Sequence, residues 1–256
     1  MIIDCHVHLP SPGLGQVAEW APHTPDLEAA LAHLRRCGVE RIVAGSIRAT
    51  GAKTPEEVAA GNDEALAMAR AHPDFIVPAG CVNTDLGESA LAELRRCRDA
   101  GVVWVGELCA YIAGFSYDTE DFARAMRLAA ELDMVVQIHA TEEETDRLCA
   151  AHPGVTFVLA HLGDSRAICL ARCDLAAEHP NLYLDICGNG YERMGILEYA
   201  VRCAGPDRVL FGSDFTVNDP ASVIGRVEHS ILDAETQAKL LGSNSARLLA
   251  ARGVCV

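Results

Sequence analysis

Short apolar runs alternate with amphipathic stretches along nearly the whole chain of 256 residues. Eight of these runs have the length of β-strands, and their starts lie roughly 20 to 40 residues apart, which leaves room for one helix and two loops in each interval. The predicted strands cover residues 2–5, 41–45, 75–80, 102–106, 135–139, 156–160, 182–185 and 208–212. This alternation restricts the chain to folds in which crossover helices join parallel strands.

The stretches between the strands have the apolar spacing of helices. We predict helices over residues 27–37, 56–71, 89–100, 121–132, 143–151, 165–178 and 191–203, and a last helical region over 219–251. Three of these helices run directly into a His-Pro pair, at His72, His152 and His179. Proline cannot continue a helix, and a histidine in the last turn suits the negative end of the helix dipole. We therefore interpret these histidines as helix ends and not as metal ligands.

Eight strand–helix units in about 250 residues are typical of the (β/α)8 TIM barrel. We predict this α/β fold as a single domain over residues 1–256. The alternative is an open doubly wound sheet, which would carry a glycine-rich phosphate loop after its first strand. The sequence from His8 to Gly13 reads HLPSPG and lacks the GxGxxG pattern, so the barrel is favoured.

Composition argues against several classes of partner. The 36 acidic residues outnumber the 21 basic ones, and the net charge of −15 repels phosphate backbones, so we expect no nucleic acid partner. No apolar segment approaches the ~18 residues of a membrane span, and the N-terminus lacks the basic region of a signal peptide, so we expect no membrane partner. The eleven cysteines show no CxxC spacing, which predicts reduced thiols in the cytoplasm. We expect a small-molecule substrate, and the sequence is compatible with a homo-oligomer.

The first predicted strand leads into the sequence DCHVH. In an extended strand, His6 and His8 point to the same side as Asp4. Cys5 and Val7 are then expected on the opposite side. Because imidazole is the commonest metal ligand, a His-x-His pair on a strand predicts half of a metal site.

Four further strands run into a side chain that can bind a metal, namely Glu107, His139, His161 and Asp214. Each of them alone has a structural explanation, such as a core histidine, an ion-paired acid or a helix N-cap. The carboxyl ends of parallel strands meet at one end of a barrel, where barrel enzymes carry their catalytic groups. We therefore predict that these four side chains join the histidine pair in one divalent metal site.

The segments around these residues resemble the metal-dependent amidohydrolase superfamily. The similarity lies in IIDCHVH, VVQIHA, VLAHLGD, LYLDICG, VLFGSDF and LGSNSARLLA, and it points to the branch that contains aminocarboxymuconate-semialdehyde decarboxylase. Many members of the superfamily place a lysine after strand four to bridge two metals. This chain has Glu107 there, which resembles the metal-dependent DNases of the superfamily. The missing lysine makes us favour one ion over two.

The resemblance implies that His6, His8, His139 and Asp214 hold the ion, with zinc as the first choice and manganese or iron as alternatives. Asp214 and His161 are the predicted catalytic residues: Asp214 takes the proton of a metal-activated water, and His161 completes the coordination or polarises the substrate carbonyl. The predicted function is hydrolysis of a small amide, lactone or ester-like bond. Nonoxidative decarboxylation of an aromatic or muconate-type acid is the alternative. A nuclease and a barrel with a vestigial metal site are weaker hypotheses.

Other polar residues are predicted to support the ligands or to bind substrate. Asp4 is expected to orient a ligand from deeper in the first strand, and Asp185, with Cys187, lies at the end of strand seven. Substrate-binding candidates in loops after strands are Arg166, Tyr111, Tyr117, Asn189, Tyr191 and Arg193. The stretch from residue 10 to 25, with its four prolines, is expected to form a lid or a surface loop.

Overall fold

The computed structural model describes residues 1–11 and 26–255. Eight parallel strands form one sheet in which each strand lies beside the next one in the chain. They are β1 (Ile3–Leu9), β2 (Arg41–Ser46), β3 (Ile76–Gly80), β4 (Trp104–Cys109), β5 (Val135–His139), β6 (Thr156–Leu159), β7 (Leu182–Asp185) and β8 (Val209–Leu210). The (β/α)8 barrel is confirmed. Most of the predicted lid lies outside the described residues.

Backbone hydrogen bonds between β1 and the segment that follows β8 close the barrel. The Asp214 N–H donates to the His6 carbonyl at 2.9 Å, and the His8 N–H donates to the Phe215 carbonyl at 2.6 Å. β1 is longer than predicted, so both histidines lie within it and not beyond its end. The regular part of β8 is shorter than predicted, because its ladder with β7 ends at Leu210. This closure places the two histidines next to Asp214.

Helices connect the strands on the outside of the barrel. In the described part of the chain they are α1 (Leu27–Arg36), α2 (Ile47–Thr50), α3 (Pro55–Ala71), α4 (Glu88–Asp99), α5 (Ala110–Ala113), α6 (Glu120–Glu131), α7 (Glu142–Ala151), α8 (Arg166–Glu178), α9 (Ile196–Ala204), α10 (Pro220–Glu228), α11 (Ala234–Ala238) and α12 (Asn244–Ala250). A 3-10 helix covers Thr84–Leu86, and a π-helical turn covers Lys239–Ser243. None of the described helices is long and apolar enough to cross a membrane.

Local capping explains where several helices begin and end. His72, His152 and His179 are the C-cap residues of α3, α7 and α8, as predicted. The helix predicted from residue 191 begins only at Ile196, because Gly195 before it has a φ of 85°, which an α-helix cannot accommodate. The predicted region over 219–251 is divided into α10, α11, the π turn and α12.

The core is divided into two clusters of buried side chains. The larger one packs the outer faces of the strands against the helices. The smaller one joins side chains of seven strands with Leu248 and Leu249 of α12, so α12 contributes apolar groups to the inside of the barrel. Trp104 in this inner cluster is fully buried and donates its indole N–H to Gln137 at 2.9 Å. All eleven cysteines are free thiols in the structure.

Candidate active site

His6 and His8 project from β1 toward each other. Their Nε2 atoms lie 3.0 Å apart, and both residues are buried. The prediction that Cys5 and Val7 share one side of the strand is wrong. Cys5 packs in the smaller core cluster inside the barrel, and Val7 packs in the larger cluster between strands and helices. The pairing of β1 with β2 shifts register between Asp4 and Val7, which interrupts the strict alternation of sides. The two histidines follow this shift and still share one face.

Asp214 lies opposite the histidine pair, in the segment after β8. Its Oδ1 is 3.4 Å from Nε2 of His8 and 3.7 Å from Nε2 of His6. Asn218 donates to the other carboxylate oxygen at 3.2 Å. The ligand atoms of His6, His8 and Asp214 all lie within 4.8 Å of one another. We call these three residues the first ligand group.

Glu107, His139 and His161 form a second ligand group at the ends of β4, β5 and β6. Oε1 of Glu107 lies 3.0 Å from Nδ1 of His139 and 3.2 Å from Nε2 of His161. Its Oε2 faces the first group and lies 3.6 Å from Nε2 of His6 and 3.4 Å from Nε2 of His8. The six predicted metal-binding side chains therefore come together, and Glu107 joins their two halves.

Two residues at the end of β7 contact the side of the histidine rings that faces away from the ligand groups. Asp185 accepts a hydrogen bond from Nδ1 of His6 at 2.7 Å. The Cys187 sulfur lies 3.1 Å from this same Nδ1 atom, 3.2 Å from Nδ1 of His161 and 2.9 Å from the Asp185 carboxylate. The adjacent Gly188 has a φ of 70°, and a Cβ there would overlap the His161 ring. These contacts occupy the Nδ1 side of both histidines and leave their Nε2 atoms directed at the ligand groups.

The two carboxylates of the site differ in their surroundings. Burial raises the pKa of Glu107, but His6, His139 and His161 outweigh it and hold that pKa well below its usual range. Burial dominates at Asp214 and raises its pKa, although the neighbouring histidines oppose this. Asp214 therefore holds a proton more readily than Glu107 does.

The donor set fits a divalent cation. With Nδ1 of His6 donating to Asp185, the neutral form of the ring has its lone pair on Nε2, which lies 3.0 Å from Nε2 of His8. Carboxylate oxygens of Glu107 and Asp214 lie on the same side. Two buried nitrogens and two carboxylates that converge in this way need protons or a cation between them.

A cavity of about 1200 Å³ opens over both ligand groups. Of the predicted substrate-binding residues, Tyr111 and Asn189 line it, and the Tyr111 ring meets the His139 ring edge-on at 5.1 Å. The prediction for Tyr117 is wrong, because its side chain is buried and its hydroxyl contacts the carbonyls of Leu108 and His139.

Three further candidates do not belong to the described lining of this cavity, namely Arg166, Tyr191 and Arg193. Tyr191 instead shares a hydrogen bond with Ser222 at 2.7 Å. Arg166 is the exposed first residue of α8. Their positions after strands predicted substrate contact, but the described lining of the cavity does not include them.

Asp4 supports the backbone around the site and not a ligand ring. Its Oδ1 accepts hydrogen bonds from the N–H groups of His6 at 3.1 Å and Ser213 at 2.9 Å, and its Oδ2 accepts from the Ser213 hydroxyl. Burial raises its pKa to about 7 in spite of these bonds. Asp4 thus ties β1 to the segment that carries Asp214, while Asp185 contacts the His6 ring.

Two arginines near the site were not predicted. Arg172 of α8 is buried, and its guanidinium donates to the carbonyls of Ala160 and His161 at 3.0 Å and of Ala140 at 3.2 Å. It therefore ties together the ends of β5 and β6. Arg48 of α2 lines the cavity, and its Nε lies 3.7 Å from Glu64. Arg172 lies inside a helix, where an arginine carries no distinctive sequence pattern. Arg48 follows β2, and this position after a strand was a usable signal.

Comparison with known proteins supports a family for this chain. A sequence profile of amidohydrolases matches residues 3–250. Comparison with curated protein sequences finds no significant match.

Solved structures share the fold at low sequence identity. The 2,6-dihydroxybenzoate decarboxylase from Rhizobium is 16% identical with a TM-score of 0.80, and the alignment covers 98% of this chain and 99% of that one. A dihydroxybenzoic acid decarboxylase from Polaromonas sp. JS666, with bound manganese and 2-nitroresorcinol, is 16% identical with a TM-score of 0.75, covering 97% and 96%. A probable 2-pyrone-4,6-dicarboxylic acid hydrolase from Acinetobacter baumannii is 18% identical with a TM-score of 0.67, covering 97% and 99%.

Proposed function

This chain belongs to the amidohydrolase family, and on that premise we propose that it is a metal-dependent nonoxidative decarboxylase of a small aromatic carboxylic acid. The sequence favoured hydrolysis and kept decarboxylation as the alternative. The two similar structures that are decarboxylases of dihydroxybenzoic acids support the alternative. Their low identity shows only a shared fold, so the geometry of the cavity has to carry the proposal.

The observation that carries it is the position of Arg48 in the wall of a cavity whose floor is formed by both ligand groups. The other arginine of the wall, Arg172, has its guanidinium engaged by backbone carbonyls and by Glu142. Arg48 is exposed, and among the residues that the structure describes its guanidinium contacts one carboxylate, that of Glu64, at 3.7 Å. A guanidinium in this position pairs well with the carboxylate of an acidic substrate.

Asp214 is the residue that we propose as the proton donor. Decarboxylation breaks the bond between the ring carbon and the carboxylate, carbon dioxide leaves, and the electron pair left on the carbon takes up a proton. Asp214 lines the cavity; its Oδ1 faces the histidines of the first group, whereas its Oδ2 contacts Asn218 and would be the oxygen that carries the proton. It would regain its proton from solvent through the cavity. His161, which also lines the cavity, would position the substrate oxygens.

A divalent ion held by the ligand groups would draw electron density from the substrate oxygens as a Lewis acid. Imidazole and carboxylate donors suit zinc, manganese and iron, and the manganese-bound decarboxylase from Polaromonas supports manganese as much as zinc. His139 lies with Glu107 and His161 and not with the first group. This grouping supports a second ion, whereas the sequence favoured one.

Hydrolysis remains the second candidate function. It is supported by the two ligand groups on either side of Glu107, which would hold two ions and so favour activation of a water. The similar structure of a probable 2-pyrone-4,6-dicarboxylic acid hydrolase supports the same function. In that reaction Asp214 would accept the proton of the attacking water and not donate one.

The test is to incubate protein loaded with manganese or zinc with 2,6-dihydroxybenzoate and a panel of aromatic and muconate-type acids in D2O. Decarboxylation predicts released carbon dioxide and one deuterium at the carbon that carried the carboxylate, seen by NMR and mass spectrometry. A parallel panel of lactones and amides in H2¹⁸O tests hydrolysis. Formation of an ¹⁸O-labelled acid without carbon dioxide release from any acid would replace the proposal with the second candidate.

A matched pair of variants tests the role of Arg48. Arg48→Gln is expected to raise KM for the acid substrate. Arg247→Gln is expected to leave KM unchanged, because Arg247 of α12 lies outside the described cavity lining and donates to the Asp207 carbonyl. We also propose a cytoplasmic location, because the eleven cysteines show no CxxC spacing, and cell fractionation would test it.

A further inference from the structure

A second cluster of metal-binding side chains lies outside the cavity, between α1 and the start of α10. His33 and Cys37 are four residues apart on α1 and at its end, so they share one helix face. Nε2 of His33 lies 3.3 Å from Oδ1 of Asp219, the N-cap of α10, and 3.6 Å from the Cys37 sulfur. The three ligand atoms all lie within 4.8 Å of one another. None of these residues contributes to the lining of the cavity.

The separations match those of a tetrahedral zinc site. Zinc binds nitrogen and oxygen at about 2.0–2.2 Å and sulfur at about 2.3 Å, which places neighbouring ligand atoms roughly 3.3–3.6 Å apart. The two measured separations, 3.3 Å for nitrogen to oxygen and 3.6 Å for nitrogen to sulfur, lie at these values. The third separation, between the Cys37 sulfur and the Asp219 carboxylate, lies within 4.8 Å.

We propose that His33, Cys37 and Asp219 form a separate zinc site with water in the fourth position. An imidazole, a thiolate and a carboxylate are the donor types that zinc accepts together, while manganese and magnesium prefer oxygen ligands. The site does not depend on the proposed function, because it shares no residue with either ligand group.

The surroundings of the cluster are compatible with an ion. Burial and the nearby Asp219 carboxylate raise the pKa of the Cys37 thiol although Arg36 opposes this, so a divalent cation would displace the thiol proton on binding. Nδ1 of His33 contacts the Arg36 guanidinium at 3.4 Å. Zinc on Nε2 would put the ring proton on Nδ1, and Arg36 would have to release this contact, which its exposed position permits.

The position of the site gives the ion a structural consequence. The His33 ring stacks on the Phe215 ring at a centroid distance of 5.8 Å, and Phe215 directly follows Asp214. Asp219 caps α10 five residues after Asp214 through its bond to the Ala221 N–H. An ion bound by all three ligands would therefore hold the segment from Asp214 to Asp219 against α1.

Cobalt is the probe for the test, because a cobalt–thiolate bond produces a charge-transfer absorption in the near ultraviolet. The protein is first incubated with manganese, which prefers oxygen ligands and has little affinity for thiolate, and is then titrated with cobalt. We expect the thiolate absorption to saturate at one equivalent. Zinc should remove it by competition and raise the melting temperature of the protein.

Three variants and one control make the outcome specific. Cys37→Ser should abolish the absorption, and His33→Gln and Asp219→Asn should each weaken cobalt binding at least tenfold, with circular dichroism to confirm the fold. Cys203→Ser is the matched control, since Cys203 is also half-buried beside a carboxylate, Asp174 at 3.8 Å. A thiolate absorption that persists in Cys37→Ser, or that never forms in the unsubstituted protein, would overturn the proposal. Loss of decarboxylation or hydrolysis activity has no bearing on it.

Discussion

The two ligand groups differ in how deeply the barrel encloses them. The side chains of His6, His8 and Asp214 are 2%, 7% and 11% exposed, whereas His139 and His161 of the second group are 30% and 16% exposed. The first group lies where β1 meets the segment after β8. Backbone hydrogen bonds join β1 to this segment at His6 and at His8. The second group lies at the open ends of β4, β5 and β6, beside Tyr111.

This difference in exposure indicates that ions bound by the two groups would have different access to solvent and substrate. An ion in the first group would have most of its surroundings made of protein, and it would exchange slowly. An ion in the second group would face the cavity and have positions open to water or substrate. Glu107 is the exception in the second group, because its side chain is only 5% exposed and contacts both groups.

Asp214→Asn should have the largest effect on turnover. Asparagine keeps the size of the side chain but can neither donate nor accept the catalytic proton, and such a group contributes about 10²–10⁴-fold to rate. We expect a loss of kcat in that range with an unchanged fold by circular dichroism. Asp164→Asn, which alters another acid of the cavity lining, is the control and should stay near the unsubstituted rate. Turnover by Asp214→Asn within a few-fold of the unsubstituted protein would remove Asp214 from the mechanism.

Glu107→Gln should reduce the number and affinity of bound ions. The amide lacks the charge that joins the two groups, so we expect the second ion to bind at least about 100-fold more weakly, beyond the 10–100-fold that is typical for residues behind a ligand. The first ion, held by His6, His8 and Asp214, should be retained. Metal analysis and competition with a chelator measure both quantities. Unchanged stoichiometry and affinity would place Glu107 outside the coordination sphere.

Cys187→Ala should weaken both groups together, because its sulfur contacts Nδ1 of His6 and of His161. We expect about a tenfold loss of metal affinity, with partial recovery in Cys187→Ser, whose hydroxyl restores a polar partner. Cys173→Ala removes a buried thiol of α8 and serves as the control for core packing. Equal effects of Cys187→Ala and Cys173→Ala on metal affinity would mean that Cys187 acts only through packing.

Tyr111→Ala should have the smallest effect and should leave both ions in place. The Tyr111 ring meets His139 edge-on at the cavity wall, and such aromatic contacts are worth about 0.5–1.5 kcal/mol. We expect KM to rise about two- to tenfold with kcat and metal content unchanged. Ile112→Ala, the next residue of the lining, is the comparison. A change in metal content would show that Tyr111 supports the second group and not the substrate.

Local patterns carried most of the fold prediction. The strands at 41–46, 135–139 and 182–185 agree closely with the predicted bounds, since runs of apolar and β-branched residues between helix caps depend on near neighbours. The predicted helix start at residue 191 is wrong. The helix begins after Gly195, whose left-handed conformation leaves no trace in the apolar pattern of the sequence. The side assigned to Cys5 is wrong because the register shift in β1 arises from pairing with β2 and not from β1 itself.

What the sequence alone determined is the barrel and the presence of six metal-capable side chains at its strand ends, because strand periodicity and chain direction are local properties that repeat along the chain. Tertiary structure alone decided how these side chains divide. The closed barrel rotates each strand relative to its neighbours. This rotation separates the ligands into two groups with Glu107 between them, and it brings Cys187 into contact with His6, 181 residues away. That rotation is a property of the closed ring of strands, and no segment of the sequence encodes it by itself.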